Sequence, residues 1–582
     1  MLKKIKKLKG IHWIIFLHIF IGVLCSFFSF CGLGIEAGIE NRAYAFLWSG
    51  ESLREDRISR ILCFLASYVL AAILIWLFWK FLFCFFARLK EKKLSAILFL
   101  IVLIVGLFLI LCLYPDMFGV ETTDDYMNYA YAKEFLPMYW HGFLTDVVYI
   151  ACMIVFPHPV SIPIIQFIAG ISLFFYIGDT FMTYLSQKKA AKAALVACFF
   201  LLIVLLPETI RILIYPTRNC MYAIICLWAM GILFVDSIKN RELTKQKFVC
   251  LIFLFAVLGS WRGEGILYLL AFPFLIYFTY GQRFGRKLLS KVHGKWLLFY
   301  LFICILFMLP DKYGVNKYQN SDYMIANTTG PVSAVLHDED ANISYEGSKE
   351  DLEHIAEVVP LEYIYKYGCN AGFYWNAVSG RWVRQSGATK LESSKYIASA
   401  YRLLFYNLPD YLKYQWNLFL EANSIKAMRF SVDFGSEAME NARELPPYVR
   451  AFELYDAGEE NLEAYDLKLA DKETKLFLAK CIPSGNYKKS LNDSGMAGII
   501  KLVLVGGMIF TALVALFKKD YLYFLIAALN LAVLAVIILM APWSRPNYYY
   551  SVFLNMYWCL AYRLVCGLKR EKTGNNCVKT IV

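Results

Sequence analysis

The chain is organised around Tyr114–Asp146, which reads YPDMFGVETTDDYMNYAYAKEFLPMYWHGFLTD. This polar insert directly follows 94–113, an unbroken apolar run of the length, about 20 residues, that crosses a bilayer as a helix. The insert holds Glu121, Asp124 and Asp125 close together in a turn-prone stretch. The sequence therefore predicts ionisable groups at the edge of a membrane.

The composition is that of a polytopic membrane protein. Of the 582 residues, 59% are hydrophobic and 17% aromatic, and the mean hydropathy is +0.51. The net charge of +13 comes from short basic clusters beside apolar segments, which is typical of cytoplasmic loops, so we do not expect nucleic-acid binding. Most of the 16 cysteines lie in apolar runs and form neither a disulfide nor a zinc pattern.

The apolar runs predict an all-α protein with about twelve membrane-spanning helices. Their predicted bounds are 11–32, 61–87, 94–113, 161–185, 193–206, 221–235, 248–259, 265–280, 296–309, 497–517, 521–540 and 548–565. If these spans alternate, the basic clusters all fall on one side, which the positive-inside rule makes the cytoplasm. We therefore expect a multi-pass protein of the inner or plasma membrane with both termini cytoplasmic.

The predicted chain has three parts. Residues 1–309 form an N-terminal transmembrane module whose first outer loop, 114–160, carries the acidic insert, and 497–582 form the last spans and a cytoplasmic tail. The segment between them, 310–496, is predicted to be a small, mostly helical extracytoplasmic domain, because 311–496 holds 27 acidic against 20 basic residues and contains stretches of helical spacing. The short apolar run 141–157 would break the charge alternation as a span, so we expect an interfacial helix there.

Several arginines are predicted at the outer edge, where the positive-inside bias disfavours basic residues. They are Arg211, Arg218, Arg262 and Arg545. The planar fork of donors on arginine suits phosphate, so together they predict an anionic headgroup site. The structural alternative makes Glu208 and Glu264 the ion-pair partners of the arginines nearest to them in sequence.

The acidic cluster also has two interpretations. In the structural one, Asp124 or Asp125 is the N-cap of a helix that begins at Tyr126. In the catalytic one, a carboxylate takes the proton from an acceptor hydroxyl that attacks C1 of a sugar, and the arginines stabilise a phosphate leaving group.

A further motif concerns metal binding. The run His337-Asp338-Glu339-Asp340 combines an Asp-x-Asp with a histidine and offers oxygen ligands to a divalent metal. We expect no other cofactor.

The order of motifs resembles that of a known superfamily. Tyr114-Pro115 closing a span, the acidic loop, and Trp140-His141 resemble the first outer loop of the GT-C superfamily of membrane glycosyltransferases. Those enzymes include protein O-mannosyltransferases and aminoarabinose transferases acting on lipid A, which use polyprenyl-phosphate sugars. The later motifs PTRNCMY (216–222) and RGEG (262–265) agree in order, and the stretch YNLPDYLKYQWNLFL (406–420) resembles the outer domain of uncharacterised bacterial members.

The resemblance implies a GT-C-like fold and an inverting transfer from a polyprenyl-phosphate-linked sugar to a glycan, lipid or protein acceptor outside the cytoplasm. It places the catalytic base at Asp125, then at Asp124, with Glu121 as the third choice. It also places Tyr114 and His141 beside the substrate, together with the arginines.

Two departures leave the alignment of the acidic residue open. Asp116 stands where glycine commonly follows Tyr-Pro, and Gly142 stands where proline often follows the histidine. Two other classes also remain. An O-antigen polymerase or ligase would need basic and histidine residues in its large outer loop, and a lipid or polysaccharide transporter would need polar groups along a central path. The acidic insert and the nearly charge-free predicted midplanes favour the glycosyltransferase.

Overall fold

A computed structural model gives the architecture. It describes residues 12–24, 57–90, 94–118, 124–133, 135–139, 141–186, 206–281, 286–314, 322–338, 340–361, 390–423, 425, 462–481, 496–541 and 545–570. Every regular element within these ranges is helical, which confirms the predicted all-α class.

The α-helices are numbered in chain order. They are α1 His12–Leu24, α2 Arg57–Lys90, α3 Leu94–Leu113, α4 Asp124–Lys133, α5 Phe143–Val155, α6 Ser161–Ser186, α7 Pro207–Ile214, α8 Arg218–Lys239, α9 Lys245–Trp261, α10 Ile266–Ile276, α11 Arg286–Gly314, α12 Asp322–Leu336, α13 Ser348–Val358, α14 Lys390–Tyr406, α15 Leu408–Ala422, α16 Lys472–Cys481, α17 Met496–Phe517, α18 Tyr521–Met540 and α19 Tyr550–Arg570. Short 3-10 turns at Gly263–Gly265 and Pro546–Tyr549 precede α10 and α19.

Eight of the described helices are long and apolar enough to cross a membrane, as expected of a multi-pass membrane protein. They are Arg57–Ala87, Ala96–Leu113, Ser161–Tyr184, Arg218–Lys239, Gly263–Gly281, Lys295–Gly314, Gly498–Phe517 and Tyr521–Met540. Each corresponds to one of the predicted spans. Of the other four, 193–206 lies outside the described residues except for Leu206, 11–32 and 248–259 correspond to the shorter helices α1 and α9, and 548–565 falls largely in α19. The count of twelve stays a prediction.

Helix α8 occupies the centre of the bundle. It packs against α6, α7, α9 and α19, and 83% of its most apolar 18-residue stretch is buried. By contrast, only 22% of the corresponding stretch is buried in α2 and in α11, and only 28% in α17. Their outward side chains include Leu298, Phe302 and Phe510, each at least 60% exposed. Such extended apolar surfaces fit a protein whose surroundings are lipid.

The two ends of α8 carry different polar groups. Near its C-terminal end, the buried carboxylate of Asp236 accepts hydrogen bonds from Lys247 Nζ at 2.7 Å and from the Tyr280 hydroxyl at 2.6 Å. Because an α-helix rises 1.5 Å per residue, Asp236 lies about 27 Å along α8 from Arg218. The charge alternation assigns Lys247 and Arg218 to opposite sides of the membrane, and the length of α8 agrees with that assignment.

Helix α5 lies inside the bundle, which corrects the expected interfacial helix over 141–157. All of its 13 residues except Val148 are buried, and it packs against α2, α4, α6 and α9. An interfacial helix needs an exposed polar face. The one acidic residue of α5, Asp146, is itself buried.

A second hydrophobic cluster lies in the predicted outer domain. It is formed by α12, α13 and α14, with Ile325, Val332, Ile355, Tyr396 and Leu403 among its buried members. Helix α15 joins this cluster to the bundle, since the Tyr411 hydroxyl donates to the Leu539 carbonyl at 2.5 Å and Phe419 belongs to the main core. The predicted domain boundary at 310 falls inside α11, which continues to Gly314.

The topology makes a prediction that thiol labelling can check. Ser344→Cys, in the predicted outer domain, is expected to react with a membrane-impermeant reagent in intact cells, whereas Gln246→Cys is expected to react only after lysis. Both positions are exposed, so packing does not limit the reaction, and the native thiols are removed beforehand. Labelling of Ser344→Cys only after lysis would contradict the topology. The neighbouring Tyr345 is unsuitable because its side chain is buried.

Candidate active site

Asp124 and Asp125 form the first turn of α4. The helix therefore begins two residues before Tyr126, the start expected from the sequence. Carboxylates in a first turn interact favourably with the helix dipole, so these positions also suit the structural interpretation. Asp125 is nevertheless only 1% exposed, whereas the Asp124 side chain is 26% exposed. A buried carboxylate needs compensating partners. Glu121 lies outside the described residues.

His141 is buried against this turn. Its Nδ1 donates to the Asn128 amide oxygen at 2.8 Å, and its Nε2 lies 3.4 Å from Asp124 Oδ2. Because an amide oxygen only accepts, the Nδ1 atom carries the hydrogen and Nε2 faces the carboxylate. Burial lowers the pKa of His141, Asp124 opposes this shift, and the positive charges of Arg218 and Arg545 lower the pKa further.

Arg218 and Arg545 reach this site from separate parts of the chain. Arg218 is the first residue of α8, and Arg545 directly precedes the Pro546–Tyr549 turn. Both charges act on His141, and that of Arg218 also acts on the buried carboxylate of Asp146. Two of the predicted outer-edge arginines thus lie close enough to His141 for their charges to lower its pKa.

Arg262 is held by protein groups. Its Nε lies 2.5 Å from Glu264 Oε1, its Nη1 donates to Asn219 Oδ1, and its guanidinium carbon lies 5.7 Å from the ring centroid of Tyr548. These contacts favour the structural alternative for this arginine. Asn219 is next to Arg218, and Tyr548 belongs to the turn that follows Arg545. Arg262 therefore connects the segment that carries Arg218 to the segment that carries Arg545.

Arg211 lies in the last turn of α7. Glu208, which the sequence offers as its partner, forms an ion pair with Lys501 of α17, and the two side chains are only 14% and 7% exposed. The Tyr557 hydroxyl also hydrogen-bonds to Glu208, and Lys501 Nζ lies 5.3 Å from the ring centroid of Phe553. The spacing of the sequence could not indicate this lysine, because α17 is distant along the chain.

Tyr114 is fully buried in the turn that follows α3. Its ring centroid lies 5.6 Å from that of His158 and 6.3 Å from that of Phe118, and Phe118 in turn packs 6.4 Å from Tyr129 of α4. Burial raises the pKa of the Tyr114 phenol. The ring therefore packs in the turn that leads to α4, and its place beside the substrate, which the resemblance implies, stays a prediction.

A segment of the predicted outer domain covers the same turn. Lys475 of α16 lies 3.4 Å from Asp116 Oδ1 and 3.0 Å from Asp466 Oδ2, and its own side chain is only 7% exposed. Tyr465 packs edge-on against His158, with the ring centroids 5.5 Å apart. These contacts join 462–481 to the first outer loop.

Within the described ranges, no group of three or more histidine, cysteine, aspartate or glutamate side chains has a geometry that could hold a metal ion. In the predicted metal motif, His337 Nδ1 lies 2.8 Å from the Ser333 carbonyl oxygen, and Asp338 pairs with Lys413 at 3.5 Å. Glu339 lies outside the described residues. The predicted divalent metal receives no support from this part of the chain.

Two carboxylates that adjoin the site, those of Asp146 and Asp311, are not among the residues predicted from the sequence. Asp146 Oδ2 accepts the Met138 amide, and Asp311 Oδ1 accepts the Phe143 amide at 2.5 Å. Burial raises the pKa of Asp146 well above its ordinary value, the hydrogen bond from Met138 opposes this shift, and the charge of Asp311 adds to it. The sequence could have indicated Asp311 only through its position, because it is an acidic residue just after the apolar run 296–309.

Comparison of the chain with protein-family models, with curated proteins and with solved structures finds no match. The resemblance to the GT-C superfamily therefore rests on the motifs quoted above.

Proposed function

We propose that the protein is an integral-membrane glycosyltransferase that moves a sugar from a polyprenyl-phosphate donor to an extracytoplasmic glycan, lipid or protein acceptor in cell-envelope assembly. One observation carries the proposal. The buried Asp125 lies in the turn that contacts His141, and Arg218 and Arg545 act on the same histidine. A base and a pair of phosphate-binding cations are the two kinds of group that this reaction requires.

In the proposed reaction, Asp125 takes the proton of the acceptor hydroxyl as the hydroxyl oxygen forms a bond to C1 of the sugar. The bond from C1 to the phosphate oxygen breaks, and the lipid phosphate leaves with the bonding electrons. Arg218 and Arg545 stabilise the negative charge that develops on the phosphate.

The placement of these groups supports a transferase over the alternatives. A transporter would carry its polar groups along a central path. A polymerase or ligase would carry basic and histidine residues in its large outer loop. In this protein the charges of Arg218 and Arg545 instead act on His141, which contacts Asp124 of the acidic turn, and α8 packs against the turn before α19.

Sugar transfer by the purified full-length protein in lipid nanodiscs tests the proposal. A panel of polyprenyl-phosphate donors with different labelled sugars is supplied together with envelope glycan and lipid acceptors. We expect at least one donor to give labelled acceptor and an equal amount of free polyprenyl phosphate. Failure of folded protein to release polyprenyl phosphate from every donor, with each acceptor class present, would contradict the proposal.

The arginines provide a separate prediction. Arg218→Ala and Arg545→Ala are each expected to raise the donor KM about 10- to 100-fold, the effect of losing a hydrogen bond to a charged group. Lysine at either position restores only part of the affinity because its ammonium group lacks the planar fork of donors with which arginine binds phosphate. Arg241→Ala is the matched control, since Arg241 is exposed and lies beside Asp236 at the other end of α8. Unchanged donor KM in both site variants would remove the arginines from donor binding.

A further inference from the structure

The loop that carries His141 connects α4 to α5, and we refer to residues 138–143 as the His141 loop. Its first residue is held by Asp146, whose Oδ2 accepts the Met138 amide. The Thr145 hydroxyl donates to the His141 carbonyl at 3.0 Å. Both contacts come from the first turn of α5, so the position of His141 depends on how that helix begins.

Helix α5 begins without a cap of its own. Its N-cap residue is Gly142, at φ 87° and ψ 138°, a backbone conformation that residues other than glycine rarely adopt. Glycine has no side chain to accept the amides left over at a helix start. Asp311 supplies the acceptor from α11, because its Oδ1 accepts the amide of Phe143, the first residue of α5. A carboxylate at this position also interacts favourably with the helix dipole.

The last turn of α11 contacts the loop a second time. A Cβ atom added to Gly314 would overlap the Tyr139 ring, so the glycine backbone packs directly against that ring. The Tyr139 hydroxyl in turn lies 2.5 Å from Ser59 Oγ on α2. The His141 loop is therefore enclosed between α2 and the end of α11, the helix after which the chain enters the predicted outer domain.

We propose that Asp311 is a positioning residue, which caps α5 from another helix and thereby fixes the His141 loop against the end of α11. The effect on turnover rests on the proposed function, whereas the cap itself does not. In this arrangement the placement of His141 depends on the start of the outer domain as well as on α4 and α5.

Hydrogen exchange of the full-length protein in nanodiscs tests the cap, read by mass spectrometry on overlapping peptides that resolve the Phe143 amide. Asp311→Leu is expected to speed exchange of this amide about 3- to 10-fold, since the amide loses the side-chain acceptor of its hydrogen bond. Asp311→Asn keeps an acceptor oxygen without the charge, so its exchange rate is expected to fall between those of the wild type and Asp311→Leu. Lys312→Ala is the control, an exposed position in the same turn.

Kinetics give the second measurement. We expect Asp311→Leu to lower kcat with little change in donor KM, and Asp311→Asn to recover most of the loss. Exchange in Asp311→Leu equal to that in Lys312→Ala would overturn the inference. If Asp311→Leu does not fold, the same criterion applies to Asp311→Asn. If exchange follows the expected order and even the wild type transfers no sugar, the cap stands and the proposed function fails.

Discussion

Asp125→Asn is expected to lower sugar turnover about 10²- to 10⁴-fold, the usual contribution of general acid–base catalysis, while donor binding stays nearly unchanged. Asparagine keeps the size of the side chain and most of its hydrogen-bonding capacity but cannot accept the proton. Because Asp125 is only 1% exposed, water has little access to replace it as the base. The measurement is the initial rate of transfer in nanodiscs at saturating donor.

Three further variants make the result specific. Asp124→Asn and Glu121→Gln test the other acidic residues of the insert, and Glu357→Gln is the control because that side chain is exposed on α13, in the outer cluster. Wild-type rates in the variants of Asp125, Asp124 and Glu121 together would make the insert a structural cap, and the glycosyltransferase proposal would fail at its centre. A loss confined to Asp124 or Glu121 would keep the reaction and change the base.

The second large effect concerns stability. Breaking the ion pair between Lys501 and Glu208 is expected to lower the free energy of unfolding by about 3–5 kcal/mol, as found when one partner of a buried pair is removed. Both side chains are mostly buried, and the Tyr557 hydroxyl also bonds to Glu208. The Glu208→Gln variant therefore leaves a positive charge without its counter-charge near the start of the apolar helix α17.

A double-mutant cycle separates the pair from its neighbours. Glu208→Gln and Lys501→Met are each expected to lower the midpoint of thermal unfolding in detergent. The double variant should recover part of the loss, because no unpaired charge remains. Lys518→Met is the control, at an exposed position just beyond the other end of α17. A midpoint in Glu208→Gln equal to that of the wild type would show that the pair contributes nothing.

Local features of this protein can be predicted from its sequence. The span predicted at 94–113 coincides with α3, and that at 521–540 coincides with α18, because length and apolarity are properties of a continuous segment. The acidic turn at Asp124 and Asp125 is also visible, since three carboxylates beside an apolar run stand out without any knowledge of the fold.

Contacts between distant segments cannot be predicted in this way. Asp311 and Phe143 are 168 residues apart, and no periodicity links them. The same holds for Lys501, which forms an ion pair with Glu208, the residue whose spacing in the sequence suggested Arg211 as its partner. The charge alternation assigns the run 141–157 to the membrane surface. Its burial among other helices could not be predicted, because an apolar run has the same composition whether protein or lipid surrounds it.

Helix α15 is shared between two hydrophobic cores, and this has a consequence for how the chain folds. Tyr411 packs against the outer cluster, while Phe419 and Ala422 are buried in the bundle. Removing either the outer cluster or the bundle would therefore expose apolar side chains of α15. The outer cluster and the bundle are thus expected to unfold together in one cooperative transition, and a fragment limited to 322–422 would carry an aggregation-prone face.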